Sequence, residues 1–302
     1  MHQDKTVSEF FESEGLDLLT QDIEPLPERS GSICLCYLLK YNGMRFFLKR
    51  LRPDYAGNLR YEELLNKEFE VGSNCQHPNL VHYVTKGQDD QGIYIVTAYV
   101  DGDTLQERLL SQPDYFASPN HLTRFFTQLL NCLSYLHHHQ VLYLDLKPDN
   151  VMITRIGNDV RLLDLGFCYH DSFYLSMGRN SLYSAPEQLE GKMDQINVCS
   201  DIYAVGRMLQ DICLMYPSVY GGKEILHVVE RSTCADPAQR YESAEEMGRA
   251  IRKALSSQKR RVPRRSFKYR VINVIIMMVM LAFYLASLLW VYWPKIIVYC
   301  FK

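Results

Sequence analysis

Asp145, Lys147 and Asn150 sit two and three residues apart in Tyr143-Leu144-Asp145-Leu146-Lys147-Pro148-Asp149-Asn150, with Pro148 stiffening the backbone between them. An acid, a cation and an amide so spaced match the needs of phosphoryl transfer. A carboxylate orients the attacking hydroxyl and accepts its proton, a cation offsets charge on the moving group, and an oxygen ligand holds Mg²⁺. Fourteen residues past Asn150, Asp164-Leu165-Gly166 offers a second hard oxygen ligand, and Ala185-Pro186-Glu187 follows. Any one of these pieces alone is a weak signal; their order along the chain carries the weight.

The elements that must position these groups fall into two stretches. Ile33 to Lys40 is strand-like, Asn42-Gly43 marks a tight hairpin turn, and Arg45 to Leu51 returns as the partner strand carrying Lys49. Asn58 to Cys75 reads as a helix, with Leu64, Leu65, Phe69 and Gly72 near helical spacing, and His77-Pro78-Asn79 stops it. A second hairpin is expected over 80–86 and 93–100, across a polar turn at 89–92. The composition then turns helical. Thr104-x-x-Glu107 is a capping box, and Ser118-Pro119 opens a helix to His139 whose Phe125, Phe126, Leu129, Leu130, Leu133 and Leu136 form a broad apolar stripe. Short strands are expected at 141–143, 151–154 and 160–163, and helices at about 201–215, 222–233 and 243–256.

Taken in order, these motifs resemble those of the eukaryotic-type protein kinase family. The resemblance implies an α+β, two-lobed fold over residues 25–256, with a sheet-rich N-lobe to about residue 100 and a larger helical C-lobe after it. Asp145 then takes the place of the catalytic base and Lys147 that of the lysine contacting the γ-phosphate. Lysine at that position favours Ser/Thr over Tyr specificity. Asn150 and Asp164 fit the Mg²⁺ positions, where Mn²⁺ is the other candidate ion, and ATP is the implied donor. Lys49 sits where the family keeps its phosphate-anchoring lysine. Its partner is expected to be Glu68, nine residues before His77, although Glu62, Glu63 and Glu70 compete on sequence alone. Thr97, Ala98 and Val100 fall in the adenine-binding hinge, with Thr97 at the back of the pocket. Glu187 and Arg240, the latter in Asp236-Pro237-x-x-Arg240, resemble the family's buried ion pair, and Asp201 its tether for the catalytic loop. Sugar- and antibiotic-phosphorylating relatives usually lack that Ala-Pro-Glu to Asp-Pro-x-x-Arg framework.

The chain departs from the family pattern in several places. The Gly-rich loop, near Arg29-Ser30-Gly31-Ser32-Ile33-Cys34, keeps only Gly31, which limits how closely backbone N–H groups can approach phosphates. Leu144 replaces the arginine that normally reads a phosphate on the activation segment. Leu165 stands for the usual Phe, and Asn180 for the usual Thr. Motivated by the first two, a non-catalytic kinase-fold scaffold at the membrane is the alternative reading. Retention of Lys49, Asp145, Asn150 and Asp164 favours the enzyme. His137-His138-His139 invites a metal reading, but consecutive helical residues point in different directions, and His137 matches the family's core histidine.

Hydrophobic residues make up 47% of the 302 and charged residues 23%, proportions of a folded protein. The net charge of −2 hides an asymmetry, since residues 257–302 hold nine Lys/Arg and no acid, leaving 24 basic against 35 acidic residues elsewhere. An acidic body argues against nucleic acid as its partner. Nine dispersed cysteines without a Cys-x-x-Cys pair suit a reducing compartment, and Cys34 and Cys36 read as packed thiols. Residues 1–24 read as a partly helical extension, with no apolar run of a signal peptide. At the other end, 257–270 is a basic linker. Val271 to Trp293 is then an uncharged run that would span ~34 Å as a helix, enough to cross a lipid bilayer. Trp290, Tyr292 and Trp293 give it an interfacial aromatic belt, and 294–302 is a short tail. Seven basic residues before the run against two after it predict a C-terminal anchor with the kinase lobes in the cytoplasm. The arrangement is similar to bacterial membrane-anchored Ser/Thr kinases, with a Ser/Thr-bearing protein as the implied substrate.

Overall fold

The computed structural model describes residues 22–27, 32–166 and 182–261, with side chains to Ser257. It begins with strands β1 (Asp22–Pro25), β2 (Cys34–Tyr41) and β3 (Met44–Leu51), then helix α1 (Leu59–Asn74), and strands β4 (Tyr83–Asp89) and β5 (Gly92–Ala98). The strands form one antiparallel sheet in the order β1-β2-β3-β5-β4. Asn42 and Gly43 both take positive φ, 48° and 74°, the twist that a two-residue hairpin between right-twisted strands requires. Side-chain alternation then sorts β3. Phe46 and Leu48 pack with Leu39, Val84, Tyr94 and Val96 on one face. Leu51 joins Cys34 and Ile95 in the main core on the other, and Lys49 shares that face. The side chain of Asn58 caps α1 by accepting from Arg60 N–H at 3.2 Å.

The sheet takes in β1, most of which lies within the 1–24 extension expected to be partly helical. Only Ile23 is apolar in Asp22-Ile23-Glu24-Pro25, so the segment carries too little alternation to read as a strand. It is held by pairing with Tyr37–Lys40 and by Lys40, which bridges Asp22 and Glu24. The second hairpin also differs from expectation, its first strand starting later, at Tyr83, and its second ending earlier, at Ala98. Leu80 leaves it to pair with Leu162, and the turn shrinks to Asp90-Gln91.

The second part holds β6 (Gly102–Thr104), α2 (Leu105–Ser111), α3 (Pro119–His138), β7 (Val151–Thr154) and β8 (Val160–Leu162). Helices α4 (Pro186–Leu189), α5 (Val198–Met215), α6 (Pro217–Tyr220), α7 (Lys223–Ser232) and α8 (Ala244–Arg261) follow. The Thr104/Glu107 capping box is formed in both directions, at 3.1 and 2.8 Å. The apolar stripe of α3 is buried along its length, packed in one core with Ile202, Leu209 and Ile212 of α5 and with Met247 and Ile251 of α8. A sheet-rich lobe followed by a larger helical lobe is the architecture the sequence predicts.

Two expectations need correction. The strand expected at 141–143 is absent, and β6 supplies the third strand of a small sheet ordered β6-β7-β8. Val141 N–H is taken by Leu136 O and Tyr143 N–H by Asp201, so neither is available for a ladder. Helix α8 runs past the expected end at 256 into the basic linker, because nothing in Ser257-Gln258-Lys259-Arg260-Arg261 breaks a helix before Pro263. Among the described residues no helix is long and apolar enough to cross a membrane. Val271–Trp293 lies outside the described residues, as do Gly31, Asn180 and residues 1–21.

Candidate active site

Three elements deliver Lys49, Glu68 and Asp164 to one point. Lys49 comes from β3, Glu68 from α1, and Asp164 from the chain just after β8. Lys49 Nζ lies 2.7 Å from Glu68 Oε2 and 3.0 Å from both carboxylate oxygens of Asp164. Glu68 is the carboxylate that reaches it because it lies on the buried stripe of α1 with Leu64, Leu65 and Gly72, whereas Glu63 and Glu70 are exposed. Burial disfavours the charged form of Lys49, but the two carboxylates outweigh it and hold the ammonium well above its ordinary range. Glu68 is pushed up to about 7, by burial first and then by the charge of Asp164. Asp164 is half-buried, and desolvation works against its charge, yet Lys49 and the Gly166 N–H, 3.0 Å from Oδ1, hold it below the usual carboxylate value.

The loop 143–150 is fixed from beneath by Asp201 of α5, which is fully buried. Asp201 Oδ2 accepts from Tyr143 N–H at 2.9 Å and Oδ1 from Leu144 N–H at 2.8 Å, while His137 Nε2 lies 2.8 Å from Oδ2. Leu144 takes φ 62°, a left-handed conformation that costs a non-glycine residue about 1–2 kcal/mol and persists only where its surroundings impose it. Here Asp201 holds its N–H, and Gln188 Nε2 of α4 donates to its carbonyl at 2.9 Å. The side chain sits in a small apolar cluster with Leu142, Ile196, Met193 and Val198. That backbone reversal precedes Asp145, which is 5% exposed. Its Oδ2 receives Lys147 Nζ at 2.6 Å and Asn150 Nδ2 at 2.8 Å, and Asn150 Nδ2 also reaches the Asp145 carbonyl at 2.9 Å. Burial pushes Asp145 up to about 6, against the pull of the Lys147 charge.

Thr97, buried at the end of β5, pairs across the sheet with Phe47, and Ala98 N–H donates to His82 O at 2.8 Å. Beyond Ala98 the chain leaves the ladder through Tyr99 and Val100, freeing backbone groups from strand pairing. Below the site, Arg240 and Glu187 form a doubly hydrogen-bonded pair at 2.7 and 2.8 Å, with both side chains almost wholly buried. Arg240 also donates to the carbonyls of Cys234, Ala235 and Cys199, and Ser200 Oγ to Glu187 at 2.7 Å, so both charges are fully partnered.

A family model described as a protein kinase domain matches residues 29–263. The chain belongs to the protein kinase family. It is similar to serine/threonine-protein kinase PrkC of Bacillus subtilis (strain 168), 28% identical over 244 residues that cover 70% of this chain and 37% of that one. It is likewise 28% identical over 258 residues to the Streptomyces coelicolor protein named Probable serine/threonine-protein kinase SCO3848, covering 72% of this chain and 37% of the other. The chain therefore spans little more than a third of the length of these curated relatives. The crystal structure of the Mycobacterium tuberculosis PknI kinase domain superposes with TM-score 0.62 at 20% identity, over 80% of this chain and 98% of that chain. That likeness shows the two-lobed kinase fold.

Within the kinase fold the donor set suits a magnesium nucleotide. Asp164 and Asn150 offer hard oxygens, and Lys49 is held charged on the same side. The three consecutive histidines diverge: His137 turns to Asp201, while His138 and His139 each place Nδ1 against a helix carbonyl four residues back, at 2.7 and 2.8 Å. Two contributors escaped the sequence reading. Gln188 ties α4 to the catalytic loop, and its one visible signal is its place as the third residue of a short helix, where it also caps Ala185 N–H at 3.0 Å. Tyr83 reaches Glu68, and nothing in a lone strand tyrosine announces that contact.

Proposed function

We propose that this kinase transfers the γ-phosphoryl group of ATP to Ser/Thr hydroxyls of protein substrates while anchored to a membrane by its C-terminal segment. The observation that carries the catalytic reading is Lys49 bridging Glu68 and Asp164 at 2.7 and 3.0 Å, beside an Asp145 that is buried and bonded to Lys147 and Asn150. Bound Mg²⁺ would neutralise phosphate charge and align the transferred group. Asp164 and Asn150 would hold it through their oxygens, with Mn²⁺ able to take the same donors. Lys49, kept charged by its carboxylate partners, would bind phosphate oxygens, and Glu68 holds its ammonium in place. Asp145 would accept a hydrogen bond from the substrate hydroxyl and take its proton, while Lys147 would offset charge on the phosphoryl group. Thr97, Ala98 and Val100 would frame the adenine, and Gly31 the phosphates. Ser/Thr selectivity rests on Lys147 and on the names of the relatives.

The anchor rests on the uncharged run Val271–Trp293 and the basic residues before it, which would place the lobes on the cytoplasmic face of a bacterial cell membrane. The full-length protein, Mg-ATP and a generic protein substrate, followed by phosphoamino-acid analysis, test the activity: phosphoserine or phosphothreonine is expected. The scaffold alternative is favoured by the single glycine at 29–34. It takes over if the wild-type protein shows neither transfer nor a thermal shift with Mg-ATP.

A further inference from the structure

Gly72 lies one helical turn past Glu68 on the buried face of α1. A Cβ there would meet the Tyr83 ring at 2.3 Å from Cδ2, 2.4 Å from Cε2 and 2.6 Å from Cγ. The absent side chain is what lets the ring lie against the helix, where Tyr83 is 2% exposed and meets Phe69 edge-on at 6.4 Å. From that seat the hydroxyl makes two bonds. It donates to Glu68 Oε1 at 3.1 Å and accepts from Leu165 N–H at 3.1 Å. The other oxygen of Glu68 is the one that binds Lys49, and the N–H next to Leu165, that of Gly166, holds Asp164. One hydroxyl thus joins the helix that carries the glutamate to the segment that carries the metal-ligand aspartate.

We propose that Tyr83, seated by Gly72, is a positioning residue for phosphate binding: its hydroxyl fixes the Glu68 carboxylate toward Lys49 and the Leu165 backbone beneath Asp164. Glu68 has two oxygens and a rotatable terminal torsion, so without a partner on Oε1 the plane of the carboxylate is set by Lys49 alone. With Tyr83 in place the plane is fixed before nucleotide arrives, and Lys49 need not reorganise on binding. The bond from Leu165 adds a second restraint, because a buried N–H left without an acceptor is costly and the segment would shift to satisfy it. Gly72 and Tyr83 work as a unit, since any side chain at 72 evicts the ring.

This inference rests on the kinase reading, and its test separates the two. In the full-length protein, Tyr83→Phe keeps the ring and removes only the hydroxyl. Three measurements follow: amide exchange at Leu165, affinity for Mg-ATP, and affinity for adenosine, which lacks the phosphates Lys49 would hold. In Tyr83→Phe, Leu165 exchange is expected to quicken and Mg-ATP affinity to fall, each by roughly tenfold, the scale of one lost buried hydrogen bond. Adenosine affinity should stay within twofold. A merely structural loss would weaken both ligands together. Gly72→Ala should reproduce the pattern by displacing the ring, and the double variant Gly72→Ala/Tyr83→Phe should be no worse than the poorer single one, because the hydroxyl is already out of reach. Unchanged Leu165 exchange in Tyr83→Phe overturns the proposal, as does an equal loss of adenosine and Mg-ATP, or losses that multiply in the double variant. If Gly72→Ala does not fold, Tyr83→Phe alone decides. Wild-type protein that binds no Mg-ATP refutes the kinase reading, while Leu165 exchange still judges the brace.

Discussion

At the scale of single residues, the site concentrates its demands on two buried carboxylates with different partners, Asp145 with Lys147 and Asn150, and Glu68 with Lys49. As the proposed base, Asp145 would have to be ionised to accept a proton, yet it is buried, with Lys147 and Asn150 bonded to its carboxylate. Asp145→Asn preserves the shape and removes the base, so transfer should fall by about 10²–10⁴-fold while the melting temperature stays near that of wild type; steady-state rates and a thermal scan check both. Glu68, like Asp145, is raised by burial, and further. Its folded value, about 7, lies above the ordinary glutamate value of 4.5, so the folded state binds more protons between those values. Stability contributed by this group is therefore present below about 4.5 and is lost as pH rises toward 7. In nucleotide-free protein, wild type should gain on Glu68→Gln as pH is lowered from 7.5 to 5.5, read as the difference in melting temperature. Glu68 is expected from its spacing to His77, with Glu62, Glu63 and Glu70 competing on sequence alone; the structure singles it out by its place on the buried stripe with Leu64, Leu65 and Gly72. The Tyr83 contact is not legible in the sequence, because it joins residues 15 and 82 positions apart and depends on a side chain that is missing at 72.

At the scale of elements, strong local chemistry was readable and weak or contested chemistry was not. The Asn42-Gly43 turn, the Thr104 box and the stripe of α3 each carry their own signal, and each formed. Thr104→Ala should remove the cap of α2 at a cost of about 1 kcal/mol in chemical denaturation. The strands β1 and β6 are short and polar, and they exist because a neighbouring strand recruits them. Val141-Leu142-Tyr143 shows the converse, an apolar run whose N–H groups were claimed elsewhere. The pair joining α4 to the loop after α7 is the most exacting of these joints. Arg240→Met would leave Glu187 buried at 2% exposure with Ser200 as its remaining side-chain partner, so a loss of about 3–5 kcal/mol in unfolding free energy is expected.

At the scale of the whole molecule, the charge distribution separates a −11 body from a basic tail, and this division was visible in composition alone. If the tail spans a bilayer, full-length protein should stay with the membrane pellet after carbonate treatment; release into the aqueous fraction would refute the anchor. The seat of Leu144 also limits how such a kinase can change over generations. Placing an arginine there is a single substitution, but the guanidinium would enter a pocket of Leu142, Ile196, Met193 and Val198 at a position only 5% exposed. An unpaired buried charge costs several kcal/mol, a large share of a domain's net stability. A descendant that comes to read a phosphate through residue 144 must therefore first pass through substitutions at its neighbours, each with no benefit of its own. The present leucine is thus fixed by the side chains around it.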